Sequence, residues 1–152
     1  MSIDDRLKEL GITLPQAPKP VAIYIPAVRS ANLLFISGQL PTENGQLPET
    51  GKLGAGVSVE QGQAAARRAT LNALAIARDM LGSLDDVTQV VRLVGHVASA
   101  EGFTQQPVVV NGASELLGQV FGEKGKHARL ALGAAELPLN APVEIELILE
   151  VR

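Results

Sequence analysis

The alanine-rich run from residue 58 to 81 limits the folds open to this chain more than any other segment. It begins with SVEQ at residues 58–61, in which serine and glutamine have the spacing of a capping box, and it contains no proline before Gly82. At 1.5 Å per residue, a helix of this length spans roughly 35 Å, the width of a small domain. Its small side chains allow close approach to a second layer. The run therefore predicts a long helix that lies across a sheet.

Other hydrophobic patterns predict a second long helix and several strands. Residues 87–98, VTQVVRLVGHVA, are rich in β-branched side chains and are apolar on both faces when extended. An i, i+4, i+7, i+8 stripe predicts a helix from about Pro107 to residue 121. Alternating or continuous apolar runs predict strands at residues 32–38, 128–134 and 143–151.

A turn signal completes the predicted order of elements. The Asn44-Gly45 pair suits a tight turn, so we expect it to join strand 32–38 to a short partner strand at residues 46–47. The order is then ββαβαββ, an α+β fold with one sheet and both long helices on one of its faces. A short helical arm and a Pro-rich connector form residues 1–19, and we expect a single domain over residues 1–152.

The predicted central strand indicates an assembly. Two helices cover one face of the sheet, yet residues 87–98 are apolar on both faces, and a large exposed apolar patch is uncommon on a monomer. We therefore expect a homo-oligomer in which the uncovered sheet faces meet. Binding sites would then lie in the concave surfaces between subunits.

Composition excludes several classes of function. The chain has 152 residues, of which 46% are hydrophobic, with three Phe, one Tyr, no Trp, no Cys and a net charge of −3. Because it offers neither a basic surface nor many aromatic stacking platforms, nucleic acid is a poor candidate partner. His96 and His127 lack metal-ligand spacing, so we expect no metal site. The acidic N-terminus and the lack of an 18-residue apolar span predict a cytoplasmic protein that does not enter membranes.

Arg129 is the first candidate site residue, because no polar residue follows it in RLALGA. In an extended segment Arg129, Ala131 and Gly133 point to one side. The guanidinium would then stand over small residues that leave room for a ligand, and its fork of donors suits a carboxylate. Alternatively, its stem covers apolar surface while its head reaches solvent or a structural glutamate. The residue pattern alone favours this second interpretation.

Glu144 is the second candidate, and it shares one face of the last predicted strand with Glu146 and Glu150. A carboxylate beside a pocket can hold or deprotonate a water, but a row of glutamates is also typical of a solvated strand face. If a short hairpin joined the last two strands, Arg129 and Glu144 would lie on adjacent strands, on the order of 10 Å apart. A small carboxylic acid and a water could bridge that gap.

Ser37, Gly38 and Tyr24 are further candidates. Ser37 and Gly38 end a predicted strand and could offer a hydroxyl and a backbone N–H to a ligand, while the sole tyrosine could line a pocket. Alternatively, Ser37 only supplies a hydroxyl at the end of a strand, and Tyr24 packs at the core or at its rim. No GxSxG motif or phosphate-binding loop supports a nucleophile or a nucleotide site.

Four stretches carry a resemblance to a known family: SGQLP (37–41), GSLDDVTQVVRL (82–93), FTQQPVVVNGASELLGQVFGEKGKHAR (103–129) and LPLNAPVEIELILEV (137–151). The chain resembles the reactive intermediate deaminase family, the RidA or YjgF-like proteins that also carry the older label endoribonuclease L-PSP. The resemblance extends from about residue 20 to residue 152 and is closest to a longer bacterial subgroup.

This resemblance implies a chorismate-mutase-like fold, a homotrimer formed through the sheets, and sites in the clefts between subunits. It implies hydrolysis of reactive 2-imino and 2-enamino acids to 2-oxo acids and ammonia, without metal or cofactor. The family's carboxylate-binding arginine falls on Arg129 and its water-positioning glutamate on Glu144. Ala131 stands where relatives often carry a cysteine or a small polar residue. The family's other cleft residues fall on Tyr24, Ser37, Gly38 and Asn111.

The leading hypothesis is therefore an imine deaminase that acts on small carboxylates. The alternative is a protein that binds or senses 2-oxo acids without turning them over, since it needs Arg129 but no water-activating group. Ribonuclease activity, implied by the older family label, ranks third because the net charge is −3 and no basic cluster is present.

Overall fold

The computed structural model describes residues 1–20 and 22–152, which form one five-stranded sheet with helices packed on it. None of the helices in these two ranges combines the length and the apolarity needed to cross a membrane. In chain order the elements are α1 (Ile3–Glu9), β1 (Ala27–Ser30), β2 (Leu33–Gln39), α2 (Val59–Leu81), β3 (Val87–Ala98), α3 (Gln106–Phe121), β4 (Ala128–Ala134) and β5 (Val143–Val151). The predicted α+β class and the ββαβαββ order after the arm are confirmed.

The sheet is mixed, with the strand order β1-β2-β5-β3-β4. Strands β3 and β4 run parallel, and every other neighbouring pair is antiparallel. Helix α2 packs on β2 and β5, and α3 packs on β3 and β4, so one face of the sheet is covered as predicted. Alternate residues of β5 are buried beneath these helices: Val143, Ile145, Leu147, Leu149 and Val151.

The two long helices begin and end where the sequence predicts. In α2 the capping box forms, because the Gln61 N–H donates to Ser58 Oγ at 3.1 Å and the Ser58 N–H donates to Gln61 Oε1 at 2.9 Å. Gly82 ends the helix in the left-handed conformation, with φ of 83°. Inside α2, the buried amide of Asn72 donates to the carbonyls of Leu40 and Thr42, both at 3.0 Å. This contact fixes the chain that leaves β2.

The predicted hairpin after β2 is wrong. Strand β2 pairs with β1, which precedes it, and with β5 on its other side, so neither edge is free for a strand at residues 46–47. The turn between β1 and β2 lies at residues 31–32, with Ala31 at a φ of 52°. Asn44 and Gly45 do form a turn, but it links only Glu43 to Gln46 in an isolated bridge.

The predicted adjacency of the last two strands is also wrong. Strand β3 lies between β4 and β5 and pairs with both. The segment β3-α3-β4 is a parallel crossover unit, in which a helix carries the chain back so that the second strand runs in the same direction as the first. Arg129 and Glu144 therefore do not lie on neighbouring strands.

The N-terminal arm packs against this body. The Ile3 N–H donates to Asp85 Oδ1 at 2.7 Å, and Arg6 Nε donates to the Gln119 carbonyl at 2.8 Å. Leu7 and Leu14 are buried in the same core as the sheet and the long helices. That residues 1–152 form a single domain stays a prediction.

The second face of the sheet is left open and carries both apolar side chains and charged or polar ones, among the latter Arg92, His96, Glu144, Glu146 and Glu150. Cross-strand register places Val94 beside Leu130 and Glu146, and all three point away from the helices. Other apolar side chains on this open face are Val28, Phe35, Leu132 and Ile148, of which Val28 and Phe35 are 49% and 41% exposed. Such a surface supports the expected assembly of several copies.

Candidate active site

Arg129 lies on β4, the edge strand, and its side chain points toward α3. Leu93, its register partner on β3, is fully buried in the core, so both side chains project from the helix-covered face of the sheet. Its Nη1 donates to Asn111 Oδ1 at 2.7 Å and to Ser114 Oγ at 3.3 Å, and its Nη2 donates to the Pro107 carbonyl at 3.4 Å. The helix asparagine and the arginine named by the family resemblance are thus brought into contact.

One edge of the Arg129 guanidinium has no partner. Nη1 and Nη2 both donate to α3, whereas Nε–H and one hydrogen of Nη2 have no acceptor in the described chain. Nor does any carboxylate of residues 1–20 and 22–152 lie within ion-pair distance of Arg129. Nε and Nη2 share one edge of the guanidinium and match the two oxygens of a carboxylate. No structural glutamate of the described chain therefore binds this guanidinium, whereas the other half of that interpretation, a head group that reaches solvent, agrees with the exposure of Arg129.

Ala131 and Gly133 follow Arg129 on the same side of β4. Ala131 is half-buried against the core and presents only a methyl group. A Cβ at Gly133 would lie 3.1 Å from Gln106 Nε2 and 3.2 Å from Ser99 Oγ, so space is already tight at that end of the strand. The room beside the guanidinium is bounded by small residues, as the alternation predicts.

Two residues that the sequence analysis does not place in the site contact this group. Ser114, one turn after Asn111 on α3, has its Oγ 2.9 Å from His127 Nε2, and His127 Nδ1 is 2.6 Å from the Gly125 carbonyl. The i, i+3 spacing of Asn111 and Ser114 and the i, i+2 spacing of His127 and Arg129 are the signals that could have found them. We call Arg129, Asn111, Ser114, His127 and Ala131 the arginine cluster.

A second group of predicted residues meets on β2 and β5. A Cβ at Gly38 would lie 3.1 Å from Glu144 Cδ, so only glycine leaves room for the glutamate side chain there. The Ser37 hydroxyl donates to the Ile25 carbonyl at 2.8 Å, which ties the end of β2 to the loop that carries Tyr24. Tyr24 is 43% exposed and lines a small pocket together with Gly38. We call Tyr24, Ser37, Gly38 and Glu144 the glutamate cluster.

The Glu144 carboxylate is half-buried and accepts no hydrogen bond from the described residues. Burial raises the pKa of this carboxyl group, and nearby Glu146 raises it further, whereas His96 opposes the shift. His96 is the register partner of Glu144 on β3 and shares the open face with it. Glu144 is therefore a stronger base than an exposed glutamate and is free to hold a water.

The two clusters lie apart within one protomer. Arg129 projects from the helix-covered face, while Glu144 alternates with the buried residues of β5 and projects from the open face. Only β3 lies between β5, which carries Glu144, and β4, which carries Arg129, so at the usual strand spacing the two strands are about 10 Å apart, with the two side chains on opposite sides of the sheet. One small ligand cannot touch both clusters of a single copy. In the described part of the chain, no three acidic or histidine side chains are grouped so as to hold a metal ion.

A family model described as "YjgF/chorismate mutase-like, putative endoribonuclease" matches residues 4–151. The chain belongs to the YjgF/RidA family. Among its relatives, Protein TCP17 of Trypanosoma cruzi is 45% identical over 95% of this chain and 91% of its own length. A 2-iminobutanoate/2-iminopropanoate deaminase of Dermatophagoides farinae is 29% identical over 92% of this chain and 94% of its own. The predicted family and its chorismate-mutase-like fold are confirmed.

Solved structures agree with this YjgF/RidA assignment along the whole chain. The crystal structure of an Agrobacterium tumefaciens protein of unknown function is 48% identical, with a TM-score of 0.92, and the match covers 99% of this chain and 92% of that one. RidA from a Psychrobacter species is 30% identical with a TM-score of 0.64, over 90% of this chain and 94% of its own.

Proposed function

We propose that this YjgF/RidA protein hydrolyses small 2-imino and 2-enamino acids to 2-oxo acids and ammonia. The observation that carries the proposal is the unpartnered Nε/Nη2 edge of Arg129, which has the geometry to bind a carboxylate and no described carboxylate to neutralise it. A relative named for this activity, the Dermatophagoides farinae deaminase, supports the choice of reaction. The substrate would be a small carboxylate, and the protein would work without a metal or an organic cofactor.

Each site would be built from two copies of the chain. The arginine cluster of one protomer and the glutamate cluster of the next would face each other across a cleft, because neither cluster can reach the other within a protomer. The apolar side chains of the open face support association through the sheets, and we propose a homotrimer as the closed arrangement. Exposed Leu130 and Leu132 place apolar surface next to the arginine cluster, where such a contact would begin.

The residues would divide the chemistry between binding and water activation. Arg129 would hold the substrate carboxylate bidentately and so fix C2, the imine carbon, in the cleft. Asn111 would hold the guanidinium, Tyr24 and Ala131 would bound the side-chain space, and Ser37 and Gly38 would shape the floor beneath Glu144. A protonated imine carbon is already electrophilic, so the protein needs only to place a water on it.

The proposed reaction consumes one water. The water oxygen bonds to C2 as the C=N π electrons move to nitrogen, and Glu144 takes a proton from the water and passes it to that nitrogen. The C–N bond then breaks while the hydroxyl proton passes through Glu144 to the departing ammonia, and the hydroxyl oxygen becomes the C=O of the 2-oxo acid. From a protonated imine the nitrogen therefore leaves as ammonium. The raised pKa of Glu144 suits a group that must both take and return a proton near neutral pH.

The test is release of 2-oxo acid from 2-iminobutyrate that an amino-acid oxidase generates in the assay. We expect wild type to exceed the spontaneous rate, and Arg129→Ala and Glu144→Gln to remove the excess. Arg67→Ala, an arginine on α2, and Glu150→Gln, a glutamate on the same face of β5, are matched controls and should stay active. A wild-type rate equal to buffer, or an Arg129→Ala rate equal to wild type, would refute the proposal.

Binding without turnover is the second candidate, because the free edge of Arg129 is formed without any contribution from Glu144. In that case calorimetry with 2-oxobutyrate shows binding that Arg129→Ala abolishes, while no 2-oxo acid is released above buffer. Glu144→Gln should then leave the affinity unchanged.

Ribonuclease activity, named in the family description, is the third candidate. A net charge of −3 and the single unneutralised arginine at the site do not favour a polyanion. Cleavage of RNA by purified protein that disappears in both Arg129→Ala and Glu144→Gln would favour it. Cleavage that ignores both variants indicates a contaminant.

A further inference from the structure

A chain of hydrogen bonds runs behind the carboxylate-binding edge of Arg129. Its Nη1 donates to Ser114 Oγ at 3.3 Å, Ser114 Oγ lies 2.9 Å from His127 Nε2, and His127 Nδ1 lies 2.6 Å from the Gly125 carbonyl. Ser114 lies on α3, Gly125 and His127 lie in the segment between α3 and β4, and Arg129 lies on β4. The chain therefore links the guanidinium to the backbone of that connecting segment.

The far end of this chain is fixed. Gly125 is buried, and a Cβ there would lie 2.8 Å from the Leu117 carbonyl carbon and 3.1 Å from the Gly118 Cα, so its backbone is pressed against α3. A carbonyl oxygen can only accept, so His127 Nδ1 must carry the hydrogen. When the imidazole is neutral, Nε2 is then an acceptor, and Ser114 donates to it.

The direction of the bond from Ser114 to His127 fixes which atoms donate and which accept around Arg129. The Ser114 hydroxyl gives its hydrogen to His127 and keeps its lone pairs for the hydrogen of Arg129 Nη1. Asn111 Oδ1 also accepts from Nη1, at 2.7 Å. Because Nη1 has two acceptors on α3 and Nη2 has a third, the guanidinium plane cannot rotate without breaking a hydrogen bond. The Nε/Nη2 edge is thereby held outward.

We infer that Ser114 and His127 are positioning residues, which hold the Arg129 guanidinium with its Nε/Nη2 edge ready for a substrate carboxylate. This inference rests on the proposed function, in which Arg129 binds that carboxylate. Its physical content is preorganisation: the arginine loses its side-chain freedom on folding rather than on binding, so the ligand binds more tightly.

Two sets of variants separate this role from simple packing. Ser114→Ala removes both hydrogen bonds of the hydroxyl, whereas Ser114→Thr keeps the hydroxyl. His127→Asn can still donate to the Gly125 carbonyl from the Nδ1 position but offers no acceptor to Ser114. His127→Gln places an amide carbonyl near the Nε2 position and can accept from Ser114. Glu115→Gln, an exposed neighbour on α3 without described hydrogen bonds, is the control.

Calorimetry with 2-oxobutyrate reads out the positioning role. We expect the Kd to rise roughly tenfold in Ser114→Ala and His127→Asn, the effect of losing one hydrogen bond to a charged group, and to return to within about threefold of wild type in Ser114→Thr and His127→Gln. In the imine assay, Ser114→Ala and His127→Asn should raise KM by a similar factor and change kcat by less than about twofold. Wild-type affinity in Ser114→Ala, or equal Kd values for His127→Asn and His127→Gln, would overturn the inference.

A ligand-free measurement keeps this test distinct from that of the proposed function. In nitrogen-15 NMR spectra at mildly alkaline pH, His127 should carry its hydrogen on Nδ1, and the two Nη signals of Arg129 should be resolved. Ser114→Ala should merge the Nη signals by freeing the guanidinium to rotate. If wild type binds no 2-oxobutyrate, the proposed function fails. The spectra still show whether Arg129, Ser114 and His127 are hydrogen-bonded in the inferred direction. An Nε2–H tautomer in wild type overturns the inference.

Discussion

Mixing two inactive variants tests whether each site is shared between two copies. Arg129→Ala removes the carboxylate-binding edge and Glu144→Gln removes the base, so each variant alone should lose roughly 100-fold or more in kcat/KM. In a mixed oligomer, a site regains both groups when its arginine cluster comes from a Glu144→Gln copy and its glutamate cluster from an Arg129→Ala copy. In the sites of the opposite arrangement, both Arg129 and Glu144 are replaced.

The expected recovery follows from counting. With equal, random mixing, each of the two contributing copies is of the required type half of the time, so about one quarter of the sites are intact in any closed ring. The physical basis is the placement of Arg129 and Glu144 on opposite faces of the sheet, with β3 between their strands β4 and β5. If both groups acted within one copy, every site would lack one of them.

The assay needs equal co-expression of the two variants and the measured release of 2-oxobutyrate by the whole, unselected population of purified oligomers. A mixture of wild type with the Arg129→Ala/Glu144→Gln double variant is the reference, because about one quarter of its sites stay intact in shared sites and about one half in sites confined to one copy. Background activity in the first mixture, together with half-activity in the reference, would refute the shared site.

Four further predictions concern the glutamate cluster and the long helix. Gly38→Ala should lower activity roughly 100-fold with little loss of folding, since its Cβ, 3.1 Å from Glu144 Cδ, displaces a flexible side chain; unchanged kinetics would contradict this. Because burial raises the pKa of Glu144, activity should fall at a higher pH on acidification than for an ordinary glutamate. The Glu144→Gln variant should unfold at a higher denaturant concentration than wild type at neutral pH. A raised pKa means that ionisation of Glu144 lowers the folding stability as the pH rises, and glutamine removes that cost. Equal unfolding midpoints for the two proteins would speak against this. Ser58→Ala should lower the free energy of unfolding by about 1 kcal/mol, measured against the exposed control Thr104→Ala.

The elements that the sequence predicts best are those whose signals are local. Helix α2 has its capping box and its terminal glycine within the run itself, and strands β3, β4 and β5 have the predicted bounds. These features depend on residues that are near one another in the chain. Bounds of this kind require no knowledge of which strand lies beside which.

Strand neighbours depend on distant parts of the chain, and there the sequence misled in two places. Asn44-Gly45 is a strong turn signal, but β2 already has β1 and β5 on its two edges. The segment after the turn therefore cannot pair with β2 as a new strand. For β4 a usable signal was present: a helix of 16 residues between two strands favours a parallel crossover, which puts β4 beside β3 rather than β5.

The same distinction between local signals and contacts of distant residues explains which features of the site could be predicted. That Arg129 lacks polar neighbours is visible along β4, but its partners Pro107, Asn111 and Ser114 lie 22, 18 and 15 residues earlier and reach it only because α3 folds back over the strand. All of these partners are neutral acceptors. They orient the guanidinium and leave its charge unneutralised, which a structural ion pair would not do. An arginine that is held in place but not neutralised is what the proposed binding of an anionic ligand requires.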